Sequence, residues 1–240
     1  HKKLCLFFVS LYHLNSIKMA LLLNIETATK NCSIALAKDG KTIAIREIAT
    51  QNFSHAEKLH VFVEELFAET NLKLQDLNAI AVTQGPGSYT GLRIGVSAAK
   101  GLCYALSVPL IAVDTLELLA RKITITEGII VPMIDARRME VFCAFFDNNY
   151  NKIRETKAEI IDETSYQDIS ETMNLIGDGA MKFKDVLTAA KFQYYPEIEF
   201  PSATEMALVS FEKFQKKEFE DVAYFEPFYL KDFVLMTKKV

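Results

Sequence analysis

The sequence predicts an α/β protein with two similar lobes, each built on a mixed sheet that is flanked by helices. Three observations support this class. Short apolar or β-branched runs alternate with segments of helical periodicity. The second half of the chain begins with three strand-like runs, as the first half does. Half of the 240 residues are hydrophobic, and a chain of this length can bury roughly 70 to 75% of its unfolded surface, so the core needs neither a metal nor a disulfide.

The first predicted lobe starts with three antiparallel strands. The Asp39-Gly40 pair between the second and third strands tolerates positive φ at both positions, so it predicts a type I′ hairpin turn. Ser54 and Glu57 form a capping box ahead of an apolar pattern with helical spacing. Asp114 is predicted to start a third helix. The strands are predicted at 21–26, 32–38, 41–49, 79–83 and 110–113, and the first two helices at 54–70 and 88–106.

The second predicted lobe begins in the same way. Asn148-Asn149 marks a turn between two of its strands, and Ser202 with Glu205 caps a last helix that runs towards Lys216. Three antiparallel strands followed by helix, strand, helix, strand and helix is the order of one half of an actin-like or hexokinase-like fold. The predicted strands are 129–134, 141–146, 152–160 and 173–176, with helical stretches on both sides of the last one. The two lobes are predicted to cover 19–127 and 128–240.

Residues 1–18 precede the predicted lobes. Lys2-Lys3 followed by an apolar run at 4–12 resembles the start of a signal peptide, but no small-x-small cleavage site follows. Met19 opens directly onto the first strand, which favours upstream or non-native sequence over a targeting segment or an added structural element. We therefore expect Met19 to be the native start.

Charge and cysteine content exclude several classes of function. The chain has 27 basic and 31 acidic residues, which argues against disorder and against a polybasic nucleic-acid binder. Its four cysteines show no C-x-x-C or zinc-ribbon spacing and fit a reducing compartment, so a cytoplasmic protein is expected. No window reaches the ~18 uninterrupted apolar residues of a membrane span, and no membrane partner is expected.

A glycine-rich segment at 84–95 lies between a predicted strand and a predicted helix. A turn of this kind, at Gly85, Gly87 and Ser88, can aim backbone amides at a phosphate, with help from the helix dipole. The segment contains no Walker lysine and does not fit G-x-G-x-x-G. Two interpretations stay open, a tight strand-to-helix turn and a phosphate cradle.

Small residues follow one face of the helix after this turn. Glycine costs about 1 kcal/mol in a helix interior, so two glycines there need a reason. The face either packs against the neighbouring helix at 54–70 or docks a second protein. Steps of three and four place Gly91, Gly95, Ala98, Ala99 and Leu102 on it.

Catalytic and metal-binding patterns are scarce. His55 and His60 lie roughly 140° apart around a helix, which disfavours a zinc pair, and His55 is expected to support the helix cap. No serine lies in a G-x-S-x-G elbow, and no cysteine has a nearby histidine in the sequence. Glu26 and Asp135 each end the first strand of a lobe, where they are either turn residues or carboxylates that face metal and phosphate.

Together these residues resemble the TsaB family, also called YeaZ, from Met19 almost to the C-terminus. The string at 84–95 is the most specific one, and the others keep the family's order and spacing. They are Ile25-Glu26-Thr27-Ala28-Thr29, His55-x-x-x-Leu59, Asp135-Ala136-Arg137-Arg138, Gly177-Asp178-Gly179 and Pro227-x-Tyr229-Leu230. Glu26 departs from the family, in which aspartate is commoner.

The resemblance implies the fold of actin, sugar kinases and Hsp70 (ASKHA), and a part in making N6-threonylcarbamoyladenosine next to the anticodon of tRNAs that read ANN codons. In this family the paralogue TsaD performs the transfer, and TsaB is a required non-catalytic subunit. The resemblance also implies docking on TsaD through the first two long helices, or a homodimer in the absence of TsaD. The implied interface residues are His55, Leu59, Phe62, Val63, Leu66, Tyr89, Gly91, Leu92, Gly95, Ala98, Ala99 and Leu102.

The resemblance also bears on cofactors. The loop at 27–30 lacks the glycines that would wrap a phosphate, so weak or no ATP binding is expected of the isolated chain. ATP or ADP with Mg²⁺ is expected only in the complex with TsaD and TsaE, through which tRNA is reached indirectly. TsaD-like proteins carry paired metal-binding histidines where this chain reads 114–119, so neither a metal site nor a catalytic residue is expected. Residues that would face a nucleotide only as a remnant are Glu26, Thr27, Gly85, Gly87, Ser88, Asp135, Gly177 and Gly179.

Two other functions stay open. An autonomous actin-like ATPase or small-molecule kinase would use Glu26, the turn at 85–88, Asp135 and 177–179 around a magnesium nucleotide. A metallopeptidase would need histidine ligands, which the sequence does not supply at the expected place.

Overall fold

The computed structural model describes residues 19–50 and 55–230, which form two five-stranded sheets with helices packed around them. The interpretations given to residues 1–18 and to the Ser54 cap lie outside the described residues.

The first sheet joins five strands of the N-terminal half. They are β1 (Leu21–Glu26), β2 (Asn31–Lys38), β3 (Lys41–Ala49), β4 (Ala79–Gly85) and β5 (Leu110–Asp114), in the order β3-β2-β1-β4-β5. β1 is antiparallel to β2 and parallel to β4. Asp39 and Gly40 between β2 and β3 have φ of 52° and 78°, which confirms the predicted hairpin turn with positive φ at both positions.

Two long helices and one short helix belong to this half. α1 (His55–Thr70) and α2 (Tyr89–Leu106) share one core with the sheet, and a 3₁₀ turn at Leu74–Asp76 leads from α1 towards β4. Asp114 caps α3 (Thr115–Ala120), as predicted, because its Oδ1 accepts hydrogen bonds from the amides that follow. The buried positions of α1 that recur at helical spacing are His55, Leu59, Phe62, Val63, Leu66 and Phe67.

The second sheet repeats the arrangement of the first. Its strands are β6 (Ile129–Asp135), β7 (Glu140–Phe146), β8 (Lys152–Ile160), β9 (Met173–Ile176) and β10 (Phe192–Tyr194), in the order β10-β9-β6-β7-β8. β6 is antiparallel to β7 and parallel to β9, as β1 is to β2 and β4. Two sheets with the same strand order and directions confirm the predicted ASKHA fold class.

The predicted helices on both sides of β9 are wrong. The segment before β9 contains turns, and the segment after it holds only a 3₁₀ turn at Ala180–Phe183, followed by β10, which the sequence analysis missed. Asp162 Oδ1 accepts from the Thr164 amide at 2.9 Å, and Lys191 Nζ donates to two carbonyl oxygens of this segment. Such side-chain bonds to the backbone compete with helix formation.

The last helix corrects the predicted domain boundary. α4 (Ala203–Lys216) was assigned to the second lobe with the rest of 128–240, but it packs on the first sheet. Small residues of the sheet make a shallow surface on which the apolar face of α4 fits. The residues in this core are Ala20, Leu22, Ala35, Ala79 and Ala81 of the sheet region, with Ala203, Met206, Val209 and Phe214 of α4.

Ser202 fastens the start of α4 to the first sheet. Its hydroxyl accepts from the Thr204 amide at 3.2 Å and donates to Glu47 Oε2 at 2.7 Å. We expect Ser202→Ala to lower the free energy of unfolding by about 1 to 3 kcal/mol, since a helix cap and a hydrogen bond from the buried Ser202 hydroxyl to a carboxylate are lost together. Urea unfolding measures this. Glu212→Ala on the exposed face of α4 is the control, and equal losses for both variants would contradict the role given to Ser202.

Candidate functional site

The loop at 27–30, which follows β1, is held by three elements of the first lobe. Thr27 Oγ1 donates to the Gly91 carbonyl of α2 at 2.8 Å. The Ser88 amide donates to the Ala28 carbonyl at 2.7 Å, and His55 Nε2 donates to the Thr29 carbonyl at 2.8 Å. The loop and the glycine-rich turn therefore bind each other, and His55 ties α1 to the loop, while its expected support of the Ser54 cap falls outside the described residues.

These contacts decide between the two interpretations of the glycine-rich turn. An anion site at a helix N-terminus needs backbone amides that point at the ligand. Here the Ser88 amide binds Ala28, and the Gly91 amide donates to the Ser88 hydroxyl at 3.2 Å. A Cβ on Gly87 would lie 2.9 Å from that of Ala28. The segment is a tight strand-to-helix turn against the chain's own loop, and these contacts favour the turn interpretation over the phosphate cradle.

The C-terminal part of the described chain covers the other side of the turn. Phe228 donates its amide to the Gln84 carbonyl at 2.7 Å, and a Cβ on Gly85 would lie 2.7 Å from the Phe228 carbonyl oxygen. Gly85 has a φ of +116°, which few other residues adopt. The Tyr229 and Tyr89 rings stack at 4.8 Å between centroids. Phe228 and Tyr229 of the string at 227–230 thus pack against the glycine-rich turn.

Glu26 is fully buried at the end of β1. Its Oε1 accepts from the Ala28 amide at 2.7 Å, and its Oε2 has no hydrogen-bond partner among the described residues. Burial raises the pKa of this carboxyl to about 7, and the Ala28 hydrogen bond offsets only part of the effect. Glu26 is thus neither an exposed turn residue nor a carboxylate facing open solvent.

The second lobe places its own candidate residues together. Asp135 is exposed, and its Oδ1 accepts from the Arg137 amide and from Lys182 Nζ, both at 2.7 Å. Asp178 Oδ1 accepts from the Asp135 amide at 2.9 Å, which joins the end of β6 to the 177–179 turn. The Gly179 amide donates to the Met133 carbonyl at 3.0 Å.

The two halves of the chain approach each other near Gly177 and Asp178. A Cβ on Gly177 would lie 2.8 Å from Leu119 Cδ2 of α3. Burial raises the pKa of Asp178 to about 6, and the charge of Lys30 from the first lobe acts in the opposite direction. The candidate nucleotide-facing residues therefore form two groups, one in each half of the chain. The first group is Glu26, Thr27, Gly85, Gly87 and Ser88, and the second is Asp135, Gly177 and Gly179. Many polar atoms of these residues already form hydrogen bonds within the chain.

The small-residue face of α2 points inward, which corrects part of the predicted interface. A Cβ on Gly91 would overlap the Thr27 carbonyl oxygen, and one on Gly95 would overlap Thr27 Oγ1. These glycines serve the close approach of the 27–30 loop. The predicted interface residues that are buried within the chain are His55, Leu59, Phe62, Val63, Leu66, Gly91, Leu92, Gly95 and Ala99. Tyr89, Ala98 and Leu102 are partly exposed and stay candidates.

A second set of small and apolar residues faces outward on α2, and the sequence analysis missed most of it. We call it the outer α2 face. Gly101 has no atom within 4 Å of the position of an added Cβ, and Tyr104 is 85% exposed. A groove of about 400 Å³ lies at its N-terminal end. Steps of three and four, displaced from the inner face, place the exposed Ser97, Gly101, Tyr104 and Ala105 on it. The partly buried Ile94, Ala98 and Leu102 lie at its border and also pack against the core of the first sheet.

Within residues 19–50 and 55–230, no group of three or more His, Cys, Asp or Glu side chains could hold a metal ion. No described helix is long and apolar enough to cross a membrane.

Comparison with known proteins identifies the family. The family model TsaD, described as tRNA N6-adenosine threonylcarbamoyltransferase, matches residues 45–232. The tRNA threonylcarbamoyladenosine biosynthesis protein TsaB of Escherichia coli (strain K12) is 31% identical over 227 residues, which are 90% of this chain and 97% of the relative. This chain belongs to the TsaB family. A chain that matches both a full-length TsaB and the TsaD family model fits the paralogy that the sequence predicts.

Other comparisons agree with this assignment. TsaB of Bacillus subtilis (strain 168) is 38% identical over 125 residues, about half of either chain at 52% and 54%. The solved structure of YeaZ from Pseudomonas aeruginosa has a TM-score of 0.74 at 23% identity and covers 88% of this chain and 100% of its own. The TsaB family thus supplies the fold, and its curated members take part in tRNA threonylcarbamoyladenosine biosynthesis.

Proposed function

We propose that this chain is a non-catalytic subunit that docks on TsaD and is required for N6-threonylcarbamoyladenosine formation in tRNAs that read ANN codons. The observation that carries the proposal is the outer α2 face, an exposed stripe of small and apolar residues in a chain of the TsaB family. Small side chains let a partner helix approach towards the short end of the usual range of roughly 8 to 10 Å between axes.

The shared ancestry of the two families favours this partner. If TsaD carries helices that correspond to α1 and α2, the two chains can pair across an approximate two-fold axis, with the same surface used on both sides. The same surface closes a homodimer when TsaD is absent. Gly101 and Tyr104 are exposed and therefore free to contact a partner helix. In this proposal Gly91 and Gly95, which face Thr27, do not contact the partner.

The internal use of polar groups supports a non-catalytic role. Asp114 stands where TsaD-like proteins carry a metal-binding histidine pair, and here it caps α3 and binds Lys152 Nζ at 2.7 Å. The Ser88 amide and the Asp135 carboxylate are also bound within the chain. We accordingly place ATP, ADP and Mg²⁺ chemistry at the level of a cytoplasmic complex with TsaD and TsaE, which also holds the tRNA.

Gly101→Gln tests the docking surface. We expect it to weaken the complex with TsaD from the same organism on the order of tenfold or more, since a long side chain must fit into a close helix contact. Size-exclusion chromatography with light scattering on the mixed proteins measures this. Glu212→Gln, which places the same side chain on the exposed face of α4, should leave the complex intact.

Two outcomes would contradict the proposal. If Gly101→Gln binds TsaD as tightly as wild type does, the outer α2 face is not the docking surface. If wild type forms no complex in any nucleotide condition and the isolated chain binds ATP saturably, the autonomous ATPase function takes the place of the subunit role.

A further inference from the structure

The turn between β6 and β7 carries two arginines whose side chains have no partner among residues 19–50 and 55–230. All six arginines lie within the described residues, and neither the Arg137 nor the Arg138 guanidinium makes a hydrogen bond, ion pair or ring contact with them. The other four bind a carboxylate or an aromatic ring. They are Arg46 with Glu65 and Glu69, Arg93 with Tyr89, Arg121 with Glu117, and Arg154 with Glu159.

The backbone at these two positions is unusual for arginine. Arg137 and Arg138 have φ of 71° and 53°, and both residues are exposed. Positive φ occurs in only a few per cent of non-glycine residues, among which asparagine is enriched, whereas glycine adopts it readily. If only the backbone conformation of this turn mattered, asparagine or glycine would be expected at these two positions. The placement of two arginines here points to a use for their side chains outside the chain.

The hydrogen bonds around this turn do not involve either guanidinium group. Asp135 is the carboxylate nearest to Arg137 along the chain, and Lys182 Nζ already binds it at 2.7 Å. Asp135 also accepts the Arg137 amide, which holds the turn in place without using a guanidinium. Lys182 donates to the Glu140 carbonyl at 3.0 Å at the base of the same turn. The arginine pair thus sits on a fixed turn beside a lysine at the end of β6.

We infer that Arg137 and Arg138 contact the phosphodiester backbone of RNA. Planar guanidinium groups match phosphate oxygens in two-point hydrogen bonds. An exposed pair on a turn binds one small phosphate weakly, whereas a polyanion adds several such contacts and releases counterions. The inference rests on the proposed function, because the RNA that a TsaD complex handles is tRNA. It adds a direct contact from this chain, where the sequence predicted only an indirect one.

The test uses the complex of this chain with its own TsaD and a fluorescently labelled unmodified tRNA transcript. Arg137→Asn with Arg138→Gly removes both guanidinium groups and supplies residues that suit the left-handed backbone. Fluorescence anisotropy between about 50 and 300 mM salt should show a slope of log affinity against log salt that is smaller by about 1 to 2, and an affinity lower on the order of tenfold at moderate salt.

Two further variants keep the result interpretable. Lys38→Ala with Lys41→Ala removes the same charge from another hairpin and should leave the slope unchanged. Arg137→Lys with Arg138→Lys keeps the charge and should retain the slope. Chromatography of each complex without RNA reports docking on TsaD separately, so a failure of the proposed function is distinguished from a failure of this inference.

Several results would overturn the inference. An unchanged slope in the Asn/Gly variant would do so, as would an equal loss in the Lys38/Lys41 control or in the lysine variant. Saturable binding of pyrophosphate by the full isolated chain, lost in the Asn/Gly variant, would reassign the pair to a small-anion site.

Discussion

Gly95→Gln should unfold the first lobe instead of selectively blocking a partner. A Cβ at this buried position overlaps Thr27 Oγ1, whose hydrogen bond to the Gly91 carbonyl fastens the 27–30 loop to α2. The loop cannot move far, because Ala28 also binds the Ser88 amide. We expect a loss of about 3 kcal/mol or more in the free energy of unfolding, since backbone, loop and helix would all have to shift. Urea and thermal unfolding measure it.

Gly101→Gln is the matched control, because it places the same side chain on the same helix. Gly101 is exposed with open space around it, so replacing a helical glycine should stabilise the fold by up to about 1 kcal/mol. Only Gly101 therefore reports on docking without disturbing the fold. A Gly95→Gln protein as stable as wild type would show that the Thr27 contact does not restrict this position.

Glu26→Gln should make the protein more stable at alkaline pH and remove part of its pH dependence. The pKa of Glu26 is about 7 in the folded chain against 4.5 for an ordinary glutamate. The folded state therefore binds more protons than the unfolded state between these values, and its stability falls as the pH rises through this window. Above it the ionised, buried carboxylate costs roughly 3 kcal/mol relative to acidic pH. A neutral glutamine avoids that cost.

The measurement is urea unfolding of both proteins between about pH 5 and 8. The difference in the free energy of unfolding between variant and wild type should grow steadily with pH. Asp178, whose pKa burial raises to about 6, contributes with the same sign to both proteins and cancels in the difference. Glu64→Gln on the exposed face of α1 is the control and should give a profile parallel to wild type. Parallel profiles for Glu26→Gln as well would show that burial does not perturb Glu26.

Local signals in the sequence were enough for most of the regular structure. The Asp39-Gly40 turn, the Asp114 cap and the strand pattern of each half depend on residues that are neighbours in the chain, and all appear as predicted. The segments around β9 were mispredicted because Asp162 and Lys191 bind backbone groups there, and sequence periodicity does not report such bonds. β10 has three residues, too few for a periodic signal.

The candidate site was less predictable than the fold. The strings that resemble a known family single out residues 26–29, 84–95 and 135–138 as candidates, but they do not report what those residues contact. Glu26 and Ser88 bind the 27–30 loop, and this pairing of segments about sixty residues apart follows only from the way β1 and β4 lie side by side.

The sequence by itself determined the family, the three strands that open each half of the chain, and the presence of small residues on α2. Only the tertiary structure decided that Gly91 and Gly95 face Thr27 while Gly101 faces solvent, and that α4 returns to the first sheet. The physical reason is the same in both cases. Spacing of three and four residues states which side chains share a face of a helix, but the element that covers that face is chosen by packing between segments far apart in the chain.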